Sequence, residues 1–181
     1  MIVGNRVRLR AIEKSDIPNF VRWLNDREVT ENLLIHSPLS AAEEEGWFER
    51  HLARNPNEHV VLNIEVLAGD DWISIGNTGL HNIEPVHLAA EFGIFIGEKQ
   101  YWNQGYGREA TRLMLKHGFE DLNLNRIYLH VYETNPRAIK AYEAAGFQRE
   151  GVLREAVYKN GRFINVILMS VLHSEWIKAT A

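Results

Sequence analysis

Two glycines between a strand-like segment and a helical segment constrain the fold of this chain more than any other feature. Gly105 and Gly107 follow the strand-like segment 89–97 and precede apolar residues at helical spacing. Glycines let successive amides turn toward one point, and the first turn of a helix adds amides without intrahelical acceptors. The pattern predicts an anion site for a phosphate or pyrophosphate, although two glycines also suit a tight loop that binds nothing.

The remaining segments predict one sheet with helices on both faces. Their order is β-α-α-β-β-β-α-β-α-β-β, with parallel pairing only where a helix crosses over. The fold class is therefore mixed α/β, with a mostly antiparallel sheet in a single domain over 1–181. The strands are predicted at 7–10, 59–67, 72–80, 89–97, 126–133, 152–158 and 163–172.

Local signals fix several boundaries. A capping box at 40–43 begins the second helix, and Asn135 with Pro136 begins the last one. Gly146 is expected to end that helix, and the Asn-Gly pair at 160–161 predicts a hairpin turn.

Composition excludes several classes of function. The 181 residues include no cysteine, which rules out disulfides, thiolate metal sites and a cysteine nucleophile. A net charge of −4 disfavours nucleic-acid binding through a basic face. The eight histidines show no metal-ligand spacing, so no metal is expected. No apolar run of membrane-spanning length and no signal-peptide pattern is present, so we expect a cytoplasmic protein without membrane association.

The segment 105–110 also fits a dinucleotide fingerprint, with Glu133 as the ribose-binding acid. The context does not fit that fold, because residues 97–104 stand between the strand and the first glycine and only a hairpin follows the last helix. Asn135 and Tyr142 lie two helical turns apart on one face. A tyrosine at that spacing suits a core position as well as a catalytic one.

Three segments together are more specific than any one of them. They are Ala90-Glu-Phe-Gly93, Tyr101-Trp-Asn-Gln-Gly-Tyr-Gly107 and Asn135-Pro-Arg-Ala-Ile-Lys-Ala-Tyr-Glu-Ala-Ala-Gly-Phe147. This set resembles the GNAT superfamily, in the branch of the ribosomal-protein N-terminal acetyltransferases and spermidine N-acetyltransferase, most strongly over 89–172. The resemblance implies the GNAT fold, with the sheet splayed at the cofactor site, and an N-acetyltransferase that uses acetyl-CoA.

The resemblance also assigns roles. The loop 102–108 would bind the pyrophosphate of coenzyme A through its amides, and strand 95–97 would pair with the pantetheine arm. Tyr142 would be the general acid for the leaving thiolate. Trp102 stands where many members carry a basic residue, which leaves more of the binding to the amides and Arg108. The residues implied in cofactor binding are Phe95, Ile96, Gly97, Trp102, Asn103, Gln104, Gly105, Tyr106, Gly107, Arg108, Asn135, Arg137, Ala138 and Tyr142.

The sequence says less about how the acceptor amine is bound and deprotonated. Glu91 is the candidate base for the amine proton, with His81 and His130 as rivals. Acceptor candidates come from the segment between the first two helices and are Asp26, Glu28 and Asn32. The acceptor is a protein N-terminus, a polyamine or another small amine.

Without cysteine, the acetyl group is expected to pass directly to the amine in a ternary complex. The alternative is a coenzyme A-binding sensor or scaffold without turnover. The late hairpin has strand edges that suit a homodimer.

Overall fold

In the computed structural model, which describes residues 1–35, 37–55 and 57–180, eight strands form one sheet. The strands are β1 (Ile2–Val3), β2 (Val7–Ala11), β3 (Val60–Ala68), β4 (Asp71–Glu84), β5 (Ala89–Ile96), β6 (Arg126–Tyr132), β7 (Gln148–Lys159) and β8 (Arg162–Leu172). Their spatial order is β1-β2-β3-β4-β5-β6-β8-β7. Only β5 and β6 pair in parallel, since a helical crossover joins them. The predicted mixed, mostly antiparallel sheet is confirmed.

Helices cover both faces of this sheet, as predicted. They are α1 (Ile17–Leu24), α2 (Arg27–Thr30), α3 (Ala41–Leu52), α4 (Tyr106–Lys116), α5 (Pro136–Ala145) and α6 (His173–Thr180). The first three pack around Phe20 and Trp23, and we call the side of the sheet that they cover the α1/α3 face. The last three pack around Met114 and Phe92 on the opposite side, the α4/α5 face. In the described ranges, no helix is long and apolar enough to cross a membrane.

The predicted capping signals form. The Ser40 amide donates to Glu43 Oε2 (2.7 Å) while the Glu43 amide donates to Ser40 Oγ (3.2 Å), which satisfies two amides at the start of α3. Asn135 Oδ1 accepts from the Ala138 amide (3.1 Å) at the start of α5. Gly146 ends α5 with φ of 109°, a left-handed conformation that glycine adopts without strain.

Three elements are absent from the sequence prediction. β1 and α2 have two and four residues, too short for a periodic pattern. α6 follows β8 without a turn, and its start is held by Glu175, whose Oε2 accepts from the Leu172 amide (2.9 Å). Trp176 then anchors α6 by packing against Phe119 (ring centroids 5.9 Å apart).

Candidate active site

The sheet splits between β5 and β6. Their parallel pairing covers only three residue pairs and ends where Glu91 pairs with Tyr128. Beyond this point, which we call the vertex, 92–96 stays paired with β4 while 129–132 stays paired with β8. A gap therefore opens in the middle of the sheet.

The β5 side of the gap presents backbone groups. The Gly97 amide donates to the Ile75 carbonyl (2.7 Å), and antiparallel bonding alternates along a strand. The amide and carbonyl groups of Ile94 and Ile96 consequently face the gap rather than β4. Trp102 Nε1 donates to the Ile96 carbonyl (2.8 Å), which leaves the two amides and the Ile94 carbonyl for an extended ligand.

The glycine loop lies beyond the end of β5. Gly105 has φ of 86°, a conformation that is strained for any residue with a side chain. It is the N-cap residue of α4, and no side chain of the described residues caps this helix. Helix geometry leaves the amides of Tyr106, Gly107 and Arg108 without intrahelical acceptors. These amides and the positive end of the helix dipole form the predicted anion cradle.

Arg6 braces this loop from a distant part of the sequence. Its Nη1 donates to the Gln104 carbonyl (3.2 Å), and its guanidinium lies 4.7 Å from the centre of the Tyr106 ring. Glu109 Oε1 accepts from the Arg6 amide (2.8 Å), so the loop is tied to the start of β2 at two points. Sequence reasoning missed Arg6, because no local pattern connects it with a loop about a hundred residues away.

The loop side chains divide into two groups. Trp102 contacts α5 through Arg137, whose guanidinium lies 4.4 Å from the centre of the indole ring. The side chains of Asn103, Gln104 and Arg108 are exposed, and Asn103 has a positive φ of 60°. The loop thus offers its backbone to the site and its polar side chains to the outside.

Tyr142 reaches the gap from the α4/α5 face. Its ring packs edge-on against Phe92 (centroids 6.2 Å apart, 88°) and against Phe147 (5.8 Å apart). Phe92 is the first residue of β5 beyond the vertex. No described residue hydrogen-bonds to the Tyr142 hydroxyl, and burial raises the pKa of this phenol to about 12. Tyr142 is therefore a proton donor throughout the physiological range.

Asn135 and Ala138 lie at the start of α5, half-buried beside the gap. The Asn135 side-chain oxygen accepts from the Ala138 amide, while its Nδ2 group has no acceptor among the described residues and can donate to a ligand.

Glu91 lies on the α1/α3 face, because side chains alternate along a strand and Phe92 points to the other face. Glu91 Oε1 is 2.7 Å from Nδ1 of His130, and Oε2 accepts from Asn82 Nδ2 (3.4 Å). Two of the three sequence candidates for the base therefore form one hydrogen-bonded pair at the vertex.

The third candidate base, His81, is in register with Glu91 on β4. Its ring lies beside Gly79 and Gly93. A Cβ atom built on Gly93 would lie 3.5 Å from Nε2 of His81. Burial, followed by the nearby His59, lowers the pKa of His81, so this imidazole is neutral at pH 7.

Two of the three candidate acceptor-binding residues bind the same lysine. Asp26 and Glu28 do converge, but both bind Lys99 Nζ at 2.8 Å, and this hydrogen bond lowers the pKa of the Asp26 carboxyl. Lys99 offsets much of their negative charge. Asn32 is half-buried in the same loop, with no side-chain hydrogen bond to the described residues.

A cleft of about 830 Å³ lies between this loop and the β7–β8 hairpin. Its charged lining residues are Glu28 and Glu31 together with Arg27 and Lys159. Lys159 from the hairpin closes one side by donating to the carbonyls of Thr30 (2.6 Å) and Leu33 (2.5 Å).

These features fit an extended thioester with a phosphate-bearing end. The Ile94 and Ile96 amides can pair with an amide-containing arm, the α4 amides can bind a pyrophosphate, and Tyr142 can protonate a leaving thiolate. Within the described residues, no three histidine or carboxylate side chains converge as a metal site would need.

Comparisons with known proteins agree with this arrangement. Residues 6–148 match the family model of the acetyltransferase (GNAT) domain. Spermidine N(1)-acetyltransferase of Vibrio cholerae is 31% identical over 176 residues, which cover 97% of this chain and 98% of that protein. A Bacillus subtilis protein named, provisionally, as a ribosomal N-acetyltransferase is 33% identical over 101 residues, 56% of this chain and 55% of the relative. The crystal structure of the V. cholerae spermidine N-acetyltransferase in complex with CoA and spermine has a TM-score of 0.86 at 31% identity, covering 96% of this chain and 99% of that one.

Proposed function

Since this chain belongs to the GNAT acetyltransferase family and uses acetyl-CoA as its cosubstrate, we propose that it acetylates a primary amine of a polyamine. The V. cholerae relative is named for spermidine, and its crystal structure is described as holding CoA and spermine. The comparisons give no support to a coenzyme A sensor without turnover.

One observation carries the proposed chemistry. Glu91, the last β5 residue that pairs with β6, lies on the α1/α3 face, and Tyr142 packs against the next residue, Phe92, on the α4/α5 face. A thioester lying in the gap would have a proton donor on the α4/α5 face and proton acceptors on the α1/α3 face. Acetyl-CoA and the amine would then enter from different sides.

The steps follow from that placement. The amine gives a proton to the acceptor group at the vertex, and its lone pair attacks the thioester carbonyl carbon. A gap-facing amide of β5 stabilises the oxyanion of the tetrahedral intermediate. The C–S bond then breaks, and the coenzyme A thiolate takes the proton of the Tyr142 hydroxyl. The second proton that the nitrogen loses on becoming an amide returns through solvent to the Tyr142 phenolate, which restores the acid.

The length of the acceptor surface favours a polyamine over a short amine. Tyr132 lies two residues beyond His130 on β6, which is about 7 Å along the strand. It is also near Lys159 (Nζ 5.9 Å from the ring centre), at the edge of the cleft that Glu28 and Glu31 line. A polyamine with one nitrogen at the vertex could place a distant ammonium beside Glu31, since Glu28 already binds Lys99.

An amine panel tests this proposal. We expect kcat/KM for spermidine and spermine to exceed that for butylamine by about two- to fivefold, which corresponds to one exposed ion pair of about 0.4–1 kcal/mol. Glu31→Gln should reduce that preference while leaving the butylamine rate unchanged. Equal rates with butylamine, or a preference for N-terminal peptides, would contradict the polyamine assignment.

Steady-state kinetics test direct transfer. With no cysteine to carry the acetyl group, double-reciprocal plots at several fixed polyamine concentrations should intersect. Parallel lines would indicate an acetyl-enzyme and would refute the ternary complex.

A homodimer is the assembly that we propose. β7 is an edge strand, and Val152 and Leu153 on it are about half exposed (55% and 47%). A second copy could pair with this edge and cover both side chains. A light-scattering mass of 20.9 kDa, the mass of one chain, would refute the dimer. The cytoplasmic location expected from the sequence stays a prediction.

A further inference from the structure

The contact between Glu91 and His130 bridges the two arms of the split sheet. Glu91 is the last β5 residue that pairs with β6, and His130 lies two residues past its partner Tyr128. The 2.7 Å contact joins Glu91 Oε1 to His130 Nδ1, and both side chains remain partly exposed (31% and 38%). The pair is thus held at the vertex yet open to a substrate.

The contact sets the position of the imidazole proton. An ionised carboxylate only accepts hydrogen bonds, so Nδ1 must carry the hydrogen that Glu91 Oε1 accepts. Nε2 of the neutral ring is then an acceptor with a free lone pair. No hydrogen bond to Nε2 comes from the described part of the chain.

An imidazole is also better suited than a carboxylate to remove a proton from the acceptor amine. Histidine is the side chain that serves most often as a general base. Both oxygens of Glu91 already accept hydrogen bonds, from His130 and from Asn82. A carboxylate in that position can orient the ring and stabilise an imidazolium.

We propose that His130 Nε2 receives the proton of the acceptor amine, while Glu91 fixes the ring and stabilises its cationic form. This inference rests on the proposed acetyl transfer. The N–H bond of the substrate ammonium breaks, its electron pair stays on nitrogen for the attack, and Nε2 gains the proton. After transfer the imidazolium gives that proton to water. His130 is the catalytic residue in this scheme, and Glu91 is a positioning residue.

Few other titratable groups face the pair. His81 on β4 is in register with Glu91, and Tyr128 lies beside His130 on β6 (ring centroids 5.9 Å apart). Burial raises the pKa of Tyr128, and the Glu91 and Glu84 carboxylates add to the rise. The β8 residue in register with His130 is Leu168, which does not titrate. Among the described residues near the pair, His81 and the adjacent His59 (ring centroids 6.1 Å apart) are the other imidazoles that could cause a fall in rate at low pH.

The test compares wild type, His130→Gln, Glu91→Gln and the double variant with spermidine from pH 5.5 to 9.5. His130→Gln should lower kcat/KM by about 10²-fold at pH 7. It should also abolish the acidic limb of the pH–rate profile, which is the fall in kcat/KM at low pH. Glu91→Gln should lower it by a smaller factor, and the double variant should fall no more than about threefold below His130→Gln. Calorimetric Kd values for acetyl-CoA should stay within about twofold, since the change concerns only the amine side.

The chain contains a matched control. His117 Nδ1 also lies 2.7 Å from a carboxylate, Asp121 Oδ2, but on the helical segment after α4. His117→Gln should retain the wild-type rate and profile. If His130→Gln reduced the rate by one constant factor at every pH, the role of His130 would be structural and the proposal would be wrong.

Other results would also overturn it. These are a His130→Gln rate within threefold of wild type, a larger loss in Glu91→Gln than in His130→Gln, and an acidic limb that disappears in His81→Gln instead. Nitrogen-15 NMR of the wild-type protein gives a readout that needs no variant to fold. It should show His130 protonated at Nδ1 near pH 8, and an Nε2–H tautomer would refute the scheme. If the wild type acetylated no amine, the proposed function itself would fail, whatever the tautomer.

Discussion

Removal of one oxygen atom from Tyr142 separates its chemical role from its packing role. In Tyr142→Phe, the edge-on contact with Phe92 and the contact with Phe147 are both retained, because they involve the ring. The hydroxyl has no hydrogen-bond partner among the described residues, and its oxygen, unlike that of Tyr132, is not among the fully buried unpaired polar atoms. We therefore expect the free energy of unfolding to change by less than about 0.5 kcal/mol.

The effect on turnover should be far larger. A positioned general acid contributes about 10²–10⁴-fold, which corresponds to about 2.7–5.5 kcal/mol of activation free energy. Burial raises the pKa of Tyr142 to about 12, so the acid stays protonated at every pH below that value. The wild-type kcat should consequently show no alkaline limb from Tyr142 up to pH 10, whereas Tyr142→Phe should lower kcat by a constant factor over that range.

The assay is release of free coenzyme A with saturating spermidine, together with calorimetry of acetyl-CoA binding. The Kd should change by less than about threefold, because the phenol acts on the leaving thiolate and not on the bound thioester. Tyr101→Phe is the control, since Tyr101 packs against Tyr106 outside the gap (ring centroids 5.8 Å apart). Turnover of Tyr142→Phe within threefold of wild type would remove Tyr142 from the mechanism.

Three further predictions concern binding and stability. Gly105→Ala forces a side chain into a left-handed backbone (φ 86°), which costs about 1–2 kcal/mol, so calorimetry should show weaker acetyl-CoA binding and thermal unfolding a lower Tm. Tyr132→Phe removes a buried hydroxyl that lacks a partner among the described residues, and the Tm should rise by about 2–4 °C; an unchanged or lower Tm would contradict this. Arg126 lowers the pKa of Glu150 from 4.5 to about 2, so this pair stabilises the fold above pH 4.5 and loses its effect as the pH falls toward 2. In urea titrations Glu150→Gln should be less stable than wild type at pH 7 and equal to it near pH 2.

Sequence patterns predicted most of the fold because the relevant signals are local. The Asn135 cap and the Asn-Gly turn at 160–161 each act within a few residues, and both form as predicted. The sequence does not predict α6, because no turn residues separate it from β8. Its first turn is instead stabilised by Glu175, which lies within the helix and accepts from the Leu172 amide. Its position depends on Phe119, which is distant in sequence.

The site was predicted less completely, since its contacts join distant segments. Lys99 lies more than seventy residues from Asp26 and Glu28, and no pattern in the sequence indicated that it would offset their charges. The sequence indicates Glu91 and His130 as rival bases, yet the register of β5 and β6 makes them one pair. The register of a split sheet is a tertiary property that a strand pattern does not contain.

The location of the split therefore determines the chemistry as much as the side chains do. Consecutive strand residues point to opposite faces, so ending the β5–β6 pairing at Glu91 places a carboxylate on one face and Phe92, with Tyr142 behind it, on the other. If pairing continued for two more residues, the Ile94 amide would bond to β6 and could not face a thioester. If it ended two residues earlier, His130 would lie too far from Glu91 for the 2.7 Å contact. The acid, the amides and the imidazole–carboxylate pair coincide only because the two strands separate at the vertex.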